Sequence, residues 1–226
     1  MTSINLTHLQ QSIATYLQTH LNAAAWQWLE QRVATIRSNS NPQSLVTAFA
    51  QVSRKVNVFI IDDELPENPV NLQMKGWDSI CLVRVFLLMQ VVSDDRDSYK
   101  QQIGNLFRYA DMDESVALYV ALPVLAYPEE WVHQCTEGLR SNISYVHDAI
   151  MQNNPWPARY LPEAAWNQLV LKAFFNEKDM NRVIGLQARN NQELVLALTD
   201  YRAERLAAGR PIHPGIEQLI ASFKTA

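Results

Sequence analysis

Apolar residues recur at three- and four-residue intervals along most of the chain. Leu6, Leu9, Ile13, Tyr16 and Leu17 mark a first stripe, and after a break near Asn22, Ala25, Trp28, Leu29, Val33 and Ile36 mark a second. Side chains spaced this way share one face of a 3.6-residue helix, so the chain is predicted to open with two amphipathic helices. The polar turn Ser38-Asn-Ser-Asn-Pro42, with proline where a helix starts, leads to a third that carries Leu45, Val46, Phe49, Val52 and Val56.

The rhythm breaks over 57–78. Val58-Phe-Ile-Ile61 is β-branched, a short strand or a docked extended segment, and Asp62-Asp63-Glu64, Pro66, Pro69 and Gly76 follow it. The whole stretch reads as a long connection. From Ser79 to Val92 the chain is apolar nearly all round, with Asp78 in N-cap position, which predicts a central buried helix whose Arg84 needs a partner. Short helices are predicted over 94–109, 113–126 and 129–138. The last third predicts helices over 139–152, 162–175, 191–208 and 214–223, broken by Asn153-Asn-Pro-Trp-Pro157, Gly185 and Gly209-Arg-Pro211. Tyr127-Pro-Glu-Glu-Trp131 is echoed by Leu161-Pro-Glu-Ala-Ala-Trp166 at about 34 residues, the period of helix-pair repeats. The expected fold is therefore all-α. About ten helices would form a single domain over 1–226, either an irregular bundle or a HEAT/TPR-like αα-superhelix of stacked hairpins. Within it, 1–56 are N-terminal helices, 57–78 the connection and 79–226 the main core.

Composition narrows the function. Six glycines in 226 residues is under half the usual ~7%, too few for Gly-rich phosphate loops. A net charge of −4 gives no general attraction to nucleic acid or to anionic membrane. No apolar run approaches the ~20 residues that span a bilayer, so no membrane insertion is expected. Cys81 and Cys135 form no ligand-spaced pair or Cys/His cluster, which points to reduced thiols in the cytoplasm and to no metal site. The first residues lack a secretory pattern. Asp62-Asp63-Glu64 reads as a solvated turn. No nucleophile elbow, zinc-protease motif, dinucleotide fingerprint or P-loop is present, and no cofactor is expected.

Polar residues on apolar faces carry what chemical signal there is, since a buried ionised group is costly without a partner. Arg205 continues the stripe of Leu194, Leu198 and Tyr201, which predicts a buried guanidinium that needs a carboxylate, carbonyls or an anionic ligand. In the predicted helix 139–152, Leu139, Ile143, Val146 and Ile150 form the inner stripe. Arg140 and His147 share one flank, and Asn142 sits on the other. His147 is either a base or anion binder, or simply a hydrogen-bonded flank residue. In 162–175, Trp166 belongs to the apolar side, Asn167 is expected to be buried, and Gln168 and Lys172 share the remaining face.

Five blocks in order carry a resemblance. Glu137-Gly-Leu-Arg-Ser-Asn142, Asn154-Pro-Trp-Pro-Ala158, Ala164-Ala-Trp-Asn-Gln-Leu-Val-Leu-Lys-Ala173, Ile184-Gly-Leu-Gln-Ala-Arg-Asn190 and Asp200-Tyr-Arg-Ala-Glu-Arg-Leu-Ala-Ala-Gly-Arg-Pro211 resemble the EboA family of bacterial metabolite-traffic proteins. The likeness covers roughly 115–215, and the chain has Gln187 where the family pattern carries Asp. The resemblance implies a small cytosolic helical protein. Its gene neighbours would encode a prenyltransferase-like membrane protein, TIM-barrel enzymes and hydrolases. In cyanobacteria that gene set is associated with moving a scytonemin precursor toward the periplasm. The motif positions carried over are Arg140, Asn142, Asn167, Gln168, Lys172, Arg189, Tyr201, Arg205 and Arg210.

The expected function is a nonenzymatic helical adaptor or binding protein of bacterial secondary-metabolite trafficking. A concave side of the last long helices would hold a small anionic or aromatic metabolite or a segment of a partner. Arg140, Lys172 and Arg205 would supply charge, Asn142 and Asn167 hydrogen bonds, and Tyr201 or Trp166 an apolar wall. Expected partners are other proteins of the same gene cluster, including the prenyltransferase-like membrane protein. The alternative is an enzyme acting on such a metabolite, with His147 or Tyr201 as acid/base and Arg205 stabilising an anion.

Overall fold

The computed structural model describes residues 5–38, 41, 43–63 and 68–224. Pro42, Glu64 and Pro66 lie outside them. The described chain is all-α, with twelve α-helices, three short 3₁₀ turns and no sheet. It divides into two compact units, Met1–Ile150 and Met151–Ala226.

In the first unit, α1 (Thr7–His20), α2 (Ala23–Arg37) and α3 (Gln43–Lys55) bury the stripes that their spacing sets, through Leu9, Ile13 and Leu17, then Ala25, Leu29 and Ile36, then Leu45, Phe49 and Val52. α4 (Ser79–Leu88) starts where Asp78 accepts the Cys81 N–H at 2.7 Å. It is buried on nearly every side and packs against α1, α2, α3 and α6 (Met112–Val120). One helix at the centre of four others is the geometry of an irregular bundle, since a solenoid repeat touches only its neighbours. α5 (Arg96–Tyr109) packs against α6, and α7 (Val132–Arg140) and α8 (Ser144–Met151) complete the unit. Gly138 in α7 stands where a Cβ would meet Tyr119 and Ile150 at 2.5–2.7 Å, so the missing side chain sets how closely they pack.

The stretch 57–61 is extended and docked, not part of a sheet. It lies against the chain ahead of α4 as one isolated antiparallel bridge, Ile60 to Asp78, with hydrogen bonds to either side of it.

The continuous helix predicted over 139–152 is broken. Ser141 is extended at ψ 164°, its Oγ donates to the Gly138 carbonyl at 2.8 Å, and α8 restarts at Ser144. Ile143, expected on the inner stripe, is 39% exposed as a result.

In the second unit, α9 (Trp156–Tyr160) occupies a stretch expected to be only a break. Asn154 Oδ1 takes the Trp156 N–H at 3.0 Å and Pro157 sits in the first turn, so the residues that looked like an interruption start a helix. α10 (Glu163–Phe175) packs on α11 (Gln192–Ala207), and α11 on α12 (Pro214–Lys224).

Candidate functional site

Two helix ends and a turn build a pocket in the second unit. α10 ends after Phe175 in a turn where Glu177 is left-handed at φ 53° and its N–H donates to the Phe174 carbonyl at 3.1 Å. α11 ends the same way. Gly209 at φ 64° lets the chain double back, and the Arg210 N–H closes on the Arg205 carbonyl at 2.9 Å. The reversal brings Pro211, Ile212 and His213 across the last turn of α11. The space between them is about 280 Å³, walled by Phe174, Pro211, Ile212 and Ile216, with Tyr201, Arg205, Glu177 and His213 as its polar groups.

Arg205 is the central cation of this pocket, and it is half-buried rather than buried. The expectation of a core guanidinium fails because the stripe loses its cover. Leu194 and Leu198 are fully buried, while Tyr201 and Arg205, farther along the same face, reach the pocket. Arg205 Nε donates to the Pro211 carbonyl at 2.8 Å and Nη1 to Tyr201 Oη at 3.2 Å, with the guanidinium 5.8 Å from the Tyr201 ring centre. Among the described residues no carboxylate pairs with it. Two bonds to neutral acceptors orient the fork and leave its other N–H donors for an anion. His213 stands edge-on to Phe174 at 5.3 Å, and its Nδ1 accepts the Gly215 N–H at 3.0 Å. That bond leaves the proton of the neutral ring on Nε2. Oriented cationic donors between an aromatic wall and aliphatic walls suit a small ligand with an acidic group on a flat or apolar body.

The other expected site residues have different surroundings. Asn167 is buried at 8% exposure and exchanges amide hydrogen bonds with Asn191, Nδ2 to Oδ1 at 3.1 Å and back at 2.9 Å. The same Asn191 oxygen caps α11 at the Leu194 N–H. Arg189 Nη1 donates to the carbonyls of Pro157, Ala158 and Leu161 at 3.2, 3.2 and 2.8 Å, closing the end of α9, and its guanidinium lies 5.0 Å from the ring of buried Trp166. Burial there lowers the guanidinium pKa, and the charge of Glu163 opposes the shift. Arg189, Trp166, Asn167 and Asn191 thus join α9, α10 and α11 through carbonyls, a ring face and paired amides. Gln168 is exposed on α10, Lys172 is half-buried on it, and Arg210 is exposed beyond α11.

In the first unit, Arg140 is exposed and bonds Glu137 at 2.5 Å, and Asn142 is exposed between α7 and α8. His147 is buried and its Nε2 contacts the Ser141 carbonyl at 2.8 Å, at the end of α7. The structure brings Tyr201 and Arg205 together in one pocket. Spacing did not point to Glu177, Ile212 or His213; for Ile212 and His213 the sequence signal was the Gly209-Arg-Pro211 break that folds the chain over α11.

A family model described as metabolite traffic protein EboA matches residues 9–221. No curated protein and no solved structure matches the chain.

Proposed function

The chain belongs to the EboA family of metabolite traffic proteins, and we propose that its part in that traffic is to bind rather than to convert. In this reading it is a cytoplasmic helical binding protein or adaptor. It holds a small anionic or aromatic metabolite in the pocket beneath Pro211 and hands it on toward the periplasm through other proteins of the same gene cluster, among them a prenyltransferase-like membrane protein. No described helix is long and apolar enough to cross a membrane, which suits a carrier that meets a membrane protein rather than one that spans the bilayer itself.

The observation that carries this reading is Arg205. It is oriented by Pro211 and Tyr201 yet pairs with no carboxylate among the described residues. A charge-assisted bond to a ligand anion is the strong interaction still open to it. The test is calorimetric titration with aromatic carboxylates and with their uncharged counterparts. The acids should bind, the uncharged counterparts more weakly, and Arg205→Ala should weaken the acids by tenfold or more, which is ~1.4 kcal/mol. Equal binding of acid and neutral compound removes the assignment. Turnover of a bound compound would favour the enzymatic reading, in which Tyr201, held against the Arg205 guanidinium, handles a proton.

A further inference from the structure

The extended segment ahead of α4 has one satisfied edge and one open edge. On the inner edge, the Ile61 N–H donates to the Trp77 carbonyl at 2.9 Å, the Ser79 N–H to the Phe59 carbonyl at 2.9 Å and the Gly76 N–H to the Ile61 carbonyl at 2.8 Å. Ser79 Oγ also accepts the Phe59 N–H at 3.2 Å. Phe59 and Ile61 therefore spend their main-chain groups inward. The residues between them alternate, as extended backbone must, so the N–H and C=O groups of Val58 and Ile60 face the other way. No described residue bonds them. Their side chains lie outward too, at 67% and 54% exposure, while Phe59 is half-buried and Ile61 is buried.

Two adjacent free main-chain pairs under two exposed β-branched side chains form an open edge that proteins usually cover or charge. The flanks supply charge of both signs. Arg54 and Lys55 end α3 on one side, and Asp62 and Asp63 follow on the other. A cationic entry and an acidic exit make the edge complementary to an antiparallel copy of itself.

We propose that this edge pairs two copies of the chain, antiparallel, about a twofold axis through Phe59. Among registers centred on one residue, this one sets both outward-facing residues against outward-facing residues. Val58 meets the partner's Ile60, and Ile60 meets the partner's Val58. Each pair exchanges both main-chain hydrogen bonds. The four exposed side chains become one apolar patch across the join. The same antiparallel axis turns the end of α3 in each copy, with Arg54 and Lys55, toward the side on which the partner's Asp62 and Asp63 follow the strand, so the axis that satisfies the main chain also sets unlike charges toward each other. Such an interface is isologous and closed at two copies.

Sedimentation of the full chain from roughly 1 to 500 µM should show a concentration-dependent monomer–dimer equilibrium. Ile60→Pro deletes an outward N–H and no inner bond, and edge positions accept proline. It should raise the dimer dissociation constant at least tenfold with the helical circular dichroism unchanged. The charges report the antiparallel orientation independently of any change in the strand. Lys55→Asp and Asp63→Lys should each weaken the dimer about threefold at low salt, and the double variant should regain the parent value. A parent that stays monomeric over the whole range overturns the proposal. So does a dimer indifferent to Ile60→Pro, or a double variant no better than its single parents.

Discussion

Arg84 and Arg205 each sit on the apolar face of a helix, and the two units treat them in opposite ways. Arg84, in the middle of α4, is 2% exposed and packed from several directions. Its guanidinium lies 5.4 Å from the Phe49 ring, Nε is 3.4 Å from the Phe49 carbonyl, and Nη2 is 3.7 Å from Glu114. Glu114 is itself held by a capping box, since its other oxygen takes the Asp111 N–H at 3.1 Å while Asp111 takes the Glu114 N–H at 2.8 Å. The start of α6 thus delivers a fixed carboxylate to a charge with no route to water. Arg205 stands in the last turn of α11, where the carbonyl end of the helix favours a cation and the chain turns back instead of closing over it. A charge enclosed by helices is given a partner by the fold, whereas one where a helix runs out is left with donors to offer.

Arg84→Ala is the harshest test of that contrast. It leaves Glu114 facing a cavity among α3, α4 and α6, and it should cost about 3 to 5 kcal/mol in a urea titration. Arg84→Met fills the cavity but still leaves Glu114 without its partner, so it should recover only the packing part of that loss, whereas Arg84→Met combined with Glu114→Gln should cost less than half of it. If Ala and Met are equally mild, the ion pair holds nothing together and the two arginines differ only in exposure.

Helix ends and stripes were readable from spacing and capping residues wherever one helix buries one face. That covers α1, α2, α3, α10 and α11, and the need of Arg84 for a partner followed from its apolar surroundings alone. The break at Ser141 was hidden because Leu139, Val146 and Ile150 keep helical spacing across it, and the Ser141 cap is a local event that leaves that spacing intact. α9 was hidden by its prolines, which mark a start as readily as a stop. In the candidate site, Arg205 and Tyr201 stood out by their stripe, but a stripe tells which way a residue points and not how far the neighbouring helix extends to cover it. The pocket depends on that second quantity, which is set by the Gly209–Pro211 reversal and by where α12 begins.

Glycine gives a smaller test inside the first unit. At Gly138 an added methyl would meet Tyr119 and Ile150 at 2.5–2.7 Å, so Gly138→Ala should lose about 1 to 3 kcal/mol despite the better helix propensity of alanine. Gly104 in α5 has nothing within 4 Å of a built Cβ, and Gly104→Ala should gain about 0.5 to 1 kcal/mol. Opposite signs in thermal melts would show that packing, not propensity, decides at Gly138.

Alkaline pH should separate the units more gently. Burial pushes the Cys135 thiol up to about 12, and burial with the nearby Cys135 and Glu137 charges pushes the Tyr119 phenol up to about 12. Both lie in the first unit. The unfolded chain releases these protons from about pH 9 for the thiol and pH 10 for the phenol, while the folded unit retains them to about 12. Their stabilisation is therefore complete below pH 9 and is lost as pH rises from 9 to 12, by about 1 to 2 kcal/mol at pH 10. Hydrogen exchange at pH 10 against pH 8, corrected for intrinsic rates, should show protection falling in α6 and α7 and holding in α10 and α11. Uniform loss across both units would break the distinction.

The smallest expected effect on stability is at Arg205. Its two hydrogen bonds go to a carbonyl and a phenol on a partly open surface, and water can replace the guanidinium at both without leaving a buried charge behind. Arg205→Ala should therefore shift the urea midpoint by less than about 1 kcal/mol, well under the cost at Arg84. The Tyr201 ring would lose its cation and the Pro211 turn one donor, so a small increase in exchange at Gly209–Pro211 should accompany the change. A loss as large as that of Arg84→Ala would mean that the Pro211 carbonyl and Tyr201 hydroxyl use Arg205 to hold the reversal over α11. Arg205 would then be a clasp of the fold, and the pocket would lose the one cation that marks it as a site.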